Sequence, residues 1–319
     1  MNQDTNVDSS KHFARRQDNE NIFIHSSDGV RTGKNRIKEK IGFFLLWLSS
    51  ALVFLILAVT LAYIFTKGSA EAFSWNYLFT PPEGGRNDQG GVLYPLIGTI
   101  YLIVGSLVVA SPIGIFGAIY LREYANPKSL LTKCSRFAID SLAGIPSVIY
   151  GLFGLAFFVS FMGFKHSMLA GSLSVAIMIL PVIIRTSEEA INSIPQSYRD
   201  ASFALGANKA QTIFQVVLPN AVPGIFTGVM LSVGRAIAES AVLILAAGGS
   251  ITAFPRMFSM EYPFFLPDSG RTLAVHLYYQ ATSYDNPDKV FATAVVLIVL
   301  VLTFNLLALL GLNLTKKQK

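Results

Sequence analysis

Arg235 and Glu239 stand four residues apart inside the apolar run LSVGRAIAESAVLILAAG, residues 231–248. On a helix that spacing puts two side chains roughly 40° apart, so they share a face and can pair. Each such group costs about 2.5–3.5 kcal/mol at the centre of a membrane helix, so its presence asks for a reason. A guanidinium in a low-dielectric passage offers a charge and a planar fork of donors that match the oxygens of an oxyanion. A carboxylate beside it restrains the affinity, because a path that holds its ion too tightly does not release it. The other role open to the pair is a clamp between helices, although apolar residues of similar volume serve stability as well. Gly224, Gly228 and Ser232 extend the same face as a stripe of small residues. That stripe suits a helix packed against the interior or lining a polar path. Arg185, Glu188 and Glu189 form a second charged group at the end of another apolar run. There an arginine either meets a transported anion or snorkels to the membrane edge.

The elements that must position these residues are membrane spans. The 319 residues are 52% hydrophobic and only 14% charged, too apolar for a soluble domain of this size. A formal charge of +6 is scattered through tails and turns, which argues against a nucleic-acid partner and for orientation signals in lipid. Cys134 is the one cysteine, so no internal disulfide exists, and nothing beside it resembles a metal site. About 20 apolar residues cross a hydrocarbon core about 30 Å thick. Six runs qualify: 41–65, 92–121, 145–164, 168–184, 221–247 and 290–312. The fold class expected is all-α and polytopic. The second run exceeds the need and is expected to tilt or kink near Pro112, while the fourth is barely long enough. Pro146, Gly151 and Gly154 allow close packing or a local break, and Asp140 reads as a helix-end or interface residue.

Lysines and arginines then orient the set. They precede the first run, fill the connection after the second and close the chain, whereas 66–91 and 248–289 carry more acidic than basic residues. Both termini are therefore expected in the cytoplasm. Residues 1–40 read as a polar, disordered cytoplasmic tail before a six-helix domain over 41–315. The connection 248–289, with Arg256, Arg271, Phe264 and Phe265, is long enough to form an external docking surface.

The connection 185–218 is punctuated more sharply than a loop requires. Ser197 and Asp200 have capping-box spacing, Gly206 offers a left-handed stop, and Asn208 with Gln211 repeats the start signal. Pro219 is expected to end the second stretch before the next span. A helix, a glycine turn and another helix follow. Such helices can lie on a lipid surface, but their residue order is specific. Asp200, Ala201 and Ser202, then Gly206, then Val216, Leu218 and Pro219 match in spacing the cytoplasmic signature of ATP-binding cassette (ABC) importer permeases, with Asp, Ser and Val as conservative departures.

The likeness extends through GVLYPLIGTIYLIVGSLVVASPIGIFGAIYLREYA, DSLAGIPSVIYGLFGL, LPVIIRTSEEAI, ALGANKAQTIFQVVLPNAVPGIFTGVMLSVGRAIAESA and LAVHLYYQATS. Over about residues 90–312 the chain resembles permeases of the bacterial phosphate-specific transport system, and RTSEEA with AVHLYYQATS resembles the A-type subunit more than the C-type. The resemblance implies a type I importer permease fold in the cell membrane. It implies two ATPase subunits that bind ATP and Mg and receive the loop bearing Asp200, Ala201, Ser202, Gly206, Leu218 and Pro219. It also implies a second, C-type permease as heterodimer partner, an external phosphate-binding protein, and a phosphate route marked by Arg185, Glu188, Arg235 and Glu239. No nucleotide-cradling G-x-x-x-x-G-K-[ST] loop occurs, the nearest fragment being TGKN at 32–35, so no cofactor is expected in this chain. Two other functions remain open on the residues: an importer permease for sulfate or molybdate, and a self-contained channel or ion-coupled carrier. An arginine does not by itself distinguish one oxyanion from another. Paired ligands at catalytic spacing are missing from the spans, which argues against a membrane enzyme.

Overall fold

The computed structural model describes residues 33–83, 90–251, 268–283 and 287–317, and no strand occurs among them. Most of the polar tail and the residues Arg256, Phe264 and Phe265 lie outside the described residues. The chain divides into two compact units at Tyr63. The first helix, α1 (Gly33–Ala72), has 40 residues, begins inside the expected tail and runs past that division. From Ile41 to Val59 its large side chains are exposed on every face, Phe43, Trp47, Phe54 and Val59 among them. A helix apolar all round is stable only where lipid solvates it, because its backbone groups are satisfied within the helix.

In the second unit, α2 (Trp75–Phe79) is capped by Ser74, whose hydroxyl accepts from the Tyr77 amide at 3.2 Å. Then follows α3 (Leu93–Ile119), which runs through Pro112 and widens into a π-helical turn over Tyr120–Tyr124. Next come α4 (Leu130–Ala143) and α5 (Ser147–Gly154), the latter extended as a π-helix over Leu155–Phe161. After these, α6 (Met168–Asn192) precedes α7 (Gln196–Ala204), and α8 (Lys209–Thr212) passes through a π-helical stretch, Ile213–Val217, into α9 (Leu218–Ile237). The described set closes with α10 (Ala241–Ala246), α11 (Leu273–Ser283) and α12 (Pro287–Lys317).

Among the described residues five helices are long and apolar enough to cross a membrane, and α4 with the α5 stretch makes a sixth as a pair bent by 102°. The third expected span is thereby corrected. Its helix covers 147–161, at 1.5 Å per residue roughly 22 Å, short of the hydrocarbon core. Pro146 opens α5 at the bend, where its missing N–H and fixed φ suit a helix start. The fourth span, in contrast, runs to Asn192, so the expected loop at 185 begins as membrane helix.

Small residues bring the long helices together. A Cβ built on Gly114 of α3 would lie 2.6 Å from the Ile183 side chain of α6, and one on Gly228 of α9 would overlap the Thr186 hydroxyl. Without a hydrophobic drive in lipid, such close approach lets van der Waals contact hold helices together. Around it, Leu102, Met178, Ile179, Ile183 and Leu243 are fully buried. The stripe Gly224, Gly228 and Ser232 is therefore a packing seam against α6 rather than a polar wall.

Candidate functional site

Arg185 and Glu188 lie three residues apart on α6, and Arg136 and Asp140 four apart on α4, so each helix presents a cation and an anion on one face. The faces meet. Arg185 bonds Asp140, Arg136 approaches Glu188 to 2.5 Å, and Arg185 Nη1 donates to Glu188 Oε2 at 3.3 Å. The Glu188 side chain is only 9% exposed, against 36% for Arg136 and 29% for Arg185, so a buried carboxylate holds two guanidiniums that still reach solvent. A cavity of 180 Å³ opens beside them, lined by Arg122, Arg136, Arg185, Glu188, Glu189 and Asn192. Arginines at its wall suit an anion, and the carboxylates compete with that anion for the same donors. Asp140, expected as a mere helix-end residue, belongs to this group.

Arg235 and Glu239 do not form the second pair. The helix stops at Ile237, and Ala238–Ser240 break it before α10. Glu239 Oε1 instead accepts from the Val242 amide at 3.3 Å, satisfying a free N–H at the start of α10. No ion pair joins Glu239 to Arg235 among the described residues, so the same-face geometry expected from an unbroken helix is corrected. Arg235 sits exposed in the last turn of α9, its charge reaching Tyr150 of α5. From Gly228, level with Thr186, it is seven residues or roughly 10 Å farther along α9. The two arginines the sequence singles out thus stand at different depths.

Between α6 and α9 the loop follows the expected helix, turn, helix order. Gly206 has φ +86°, and the bonds Gly206 N to Phe203 O at 2.9 Å and Ala207 N to Ser202 O at 3.2 Å close α7 as a Schellman motif. Asn208 and Gln211 form a complete capping box at 2.9 and 2.8 Å. Two expectations fail. Pro195 rather than Ser197 precedes the first turn of α7, leaving Asp200 to bond Gln196 at 3.1 Å. Pro219 does not end the helix but starts α9, the π-helical stretch before it giving room for a ring with no N–H to offer. Asp200, Ala201 and Gly206 are exposed, while Ser202 is buried and shares a hydrogen bond of 2.9 Å with Thr212. Leu205 is 90% exposed at the rim of a cleft between Tyr198, Ala201 and Val216.

The family model for the binding-protein-dependent transport system inner membrane component matches residues 110–314. The chain belongs to that family. It is 32% identical over 283 residues to the probable ABC transporter permease protein YqgI of Bacillus subtilis, covering 86% of this chain and 94% of that one. It is 33% identical over 221 residues to phosphate transport system permease protein PstA 1 of Mycobacterium tuberculosis, covering 69% of each. Among solved structures, the MetNI methionine ABC transporter in an inward-facing form matches with a TM-score of 0.51 at 19% identity, over 70% of this chain and 94% of the other. A bacterial alginate ABC transporter matches at 0.55 and 17%, over 86% and 94%. Those likenesses speak for the fold, which is the all-α importer-permease fold expected.

Other polar residues of this permease were missed by sequence or given a different place. Arg136 and Arg122 look like orientation charges until α4 turns back onto α6. Arg271, expected on a docking surface, is buried, donating to Gly249 O at 2.9 Å and lying 3.4 Å from His276 Nδ1. His276 Nε2 lies 3.0 Å from the Gln280 amide, Thr293 bonds Gln280, and the Thr293 and Tyr77 hydroxyls are 2.6 Å apart. This chain of polar side chains ties α11 to α12 and α2. Its signal was present as His276 and Gln280 four apart in LAVHLYYQATS, one polar face on an otherwise apolar helix.

Proposed function

We propose that this permease carries inorganic phosphate into the cell as the A-type half of an ATP-driven importer. The observation that carries the substrate is the 33% identity over 221 residues to a relative named as a phosphate transport permease. The geometry is consistent with it, since Arg136, Arg185 and Arg235 offer guanidinium forks to an anion and two of them are checked by carboxylates. Arg185 and Glu188 meet the ion at the cytoplasmic end of α6. Arg235 meets it nearer the middle of the membrane, on an exposed strip of α9 shared with Leu231 and Thr227 that faces a second, C-type permease. Glu239 acts indirectly, holding the break that leaves Arg235 at a helix end.

Both termini and the loop over α7 and α8 face the cytoplasm in this reading. Asp200, Ala201, Gly206 and the exposed Leu205 contact an ATPase subunit that binds ATP and Mg, while Ser202, Leu218 and Pro219 shape the loop from beneath. An external binding protein delivers the phosphate, and displacement of the loops alternates access between the two sides. Uptake of radiolabelled phosphate is measured in cells lacking this chain and again after its return. Restored uptake, competed by unlabelled phosphate and not by sulfate or molybdate, is the expected result. Restored uptake of another oxyanion instead would transfer the path to that cargo.

A further inference from the structure

Arg199 lies on α7 beneath the exposed face of the loop, its side chain 8% exposed. Its Nη2 donates to Glu123 Oε1 at 2.8 Å and to Ile191 O at 3.1 Å, its Nε to Glu123 Oε1 at 3.3 Å, and its Nη1 to Ile194 O at 2.7 Å. Ile191 lies in the last turn of α6 and Ile194 two residues beyond it, where carbonyls run short of partners within the helix and a cation is favoured. Glu123 lies on the π-helical turn that ends α3, its side chain 11% exposed. One residue on, the Tyr124 ring carries Lys209 Nζ of α8 at 4.9 Å from its centre. With Ser202 bonded to Thr212, the loop is one piece fastened to α3 at two adjacent residues.

The fastening leads on to the charged cluster. Two residues before Glu123, Leu121 O accepts from Arg136 Nη2 at 3.2 Å, and Arg136 is the partner of Glu188. Bonds therefore run from Arg199 to Glu123, along three residues of backbone to Leu121, then through Arg136 to Glu188 and Arg185. A buried ion pair adds little stability over apolar residues of the same volume, whereas it fixes direction and distance. Contiguous, discretely bonded contacts of this kind are one physical route by which two sites become coupled.

We propose that Arg199 and Glu123 are positioning residues, forming the link by which displacement of the loop opens and closes the Arg136, Glu188 and Arg185 cluster. The link rests on the reading of the loop as an ATPase contact. In the complete importer, reconstituted in vesicles, ATP hydrolysed per phosphate imported is the readout, because a purely structural role lowers both rates together and leaves their ratio unchanged. Glu123→Gln keeps the volume and both backbone acceptors of Arg199 while removing the charge, whereas Arg199→Gln removes the cation together with its donors to Ile191 O and Ile194 O. Each is expected to assemble and to raise the ratio about tenfold, within the ordinary range of coupling between sites. The double variant is expected to match the single ones, since members of one unit are not additive. An unchanged ratio in assembled Glu123→Gln, or increases that multiply in the double variant, overturns the link. If Arg199→Gln does not accumulate, Glu123→Gln decides alone. A wild-type complex that imports no phosphate with ATP would instead overturn the function proposed above, so the two failures are distinguishable.

Discussion

Glu188→Gln removes one charge from the best-buried point of the charged cluster and keeps the volume. Breaking a fully buried pair costs about 3–5 kcal/mol, and an exposed one about 0.2–1 kcal/mol. Here Glu188 is buried, but its partners Arg136 and Arg185 are 36% and 29% exposed and can take up water, and Arg185 keeps Asp140. The cost therefore falls between the limits, at about 1–2 kcal/mol, enough to lower the amount of protein in the membrane several-fold. The charge consequence is separate. Arg136, Arg185, Asp140 and Glu188 sum to zero, and the variant leaves +1 with two guanidinium forks less occupied. An anion is then expected to bind more tightly and leave more slowly, so both KM and maximal velocity for uptake fall. Initial rates of phosphate uptake, normalised to the amount of protein, test this. Unchanged KM and normalised velocity would refute any contact between the cluster and the anion. Arg136→Gln with Glu188→Gln, which strands no charge, should recover abundance without recovering transport.

Arg235→Gln should abolish uptake with normal abundance, and Glu239→Gln should leave abundance within twofold of wild type, because no Arg235–Glu239 pair exists to be broken; quantitative blotting beside uptake decides, and a loss of protein in Arg235→Gln would return that residue to a packing role. Gly206→Tyr places a side chain at φ +86°, costing about 1 kcal/mol and obstructing the loop's contact surface, so co-purification with the ATPase subunit should be lost while the permease stays in the membrane. Gly228→Val sets methyl groups where the Thr186 hydroxyl lies and should destabilise the seam between α6 and α9 by about 1–3 kcal/mol, seen as a lower thermal midpoint in detergent. In a Cys134→Ser background, an impermeant thiol reagent should label Ser74→Cys in intact cells and spare Ser197→Cys; labelling at 197 from outside would invert the orientation.

Length and local order sufficed for much of this molecule. An apolar run longer than a bilayer is thick can only be a span, which is why α1, α3, α6 and α12 were legible, and the Gly206 turn and Asn208 capping box are written in neighbouring residues. Local signals also misled. Seven apolar residues after Ser240 look continuous with α9, but the helix breaks at Ala238–Ser240 and the Glu239 side chain accepts from the Val242 amide instead, a break that only the tertiary structure discloses. The bend of 102° before Ser147 likewise turns α4 back, so that Arg136 and Asp140, some fifty residues from Glu188 and Arg185 in sequence, meet them in space. Periodicity reports which residues share a face of one helix. Which two faces meet depends on where small residues such as Gly114 and Gly228 let helices approach, and on which buried charge finds a partner there, so the charged cluster and the Arg199–Glu123 link belong to the tertiary structure alone.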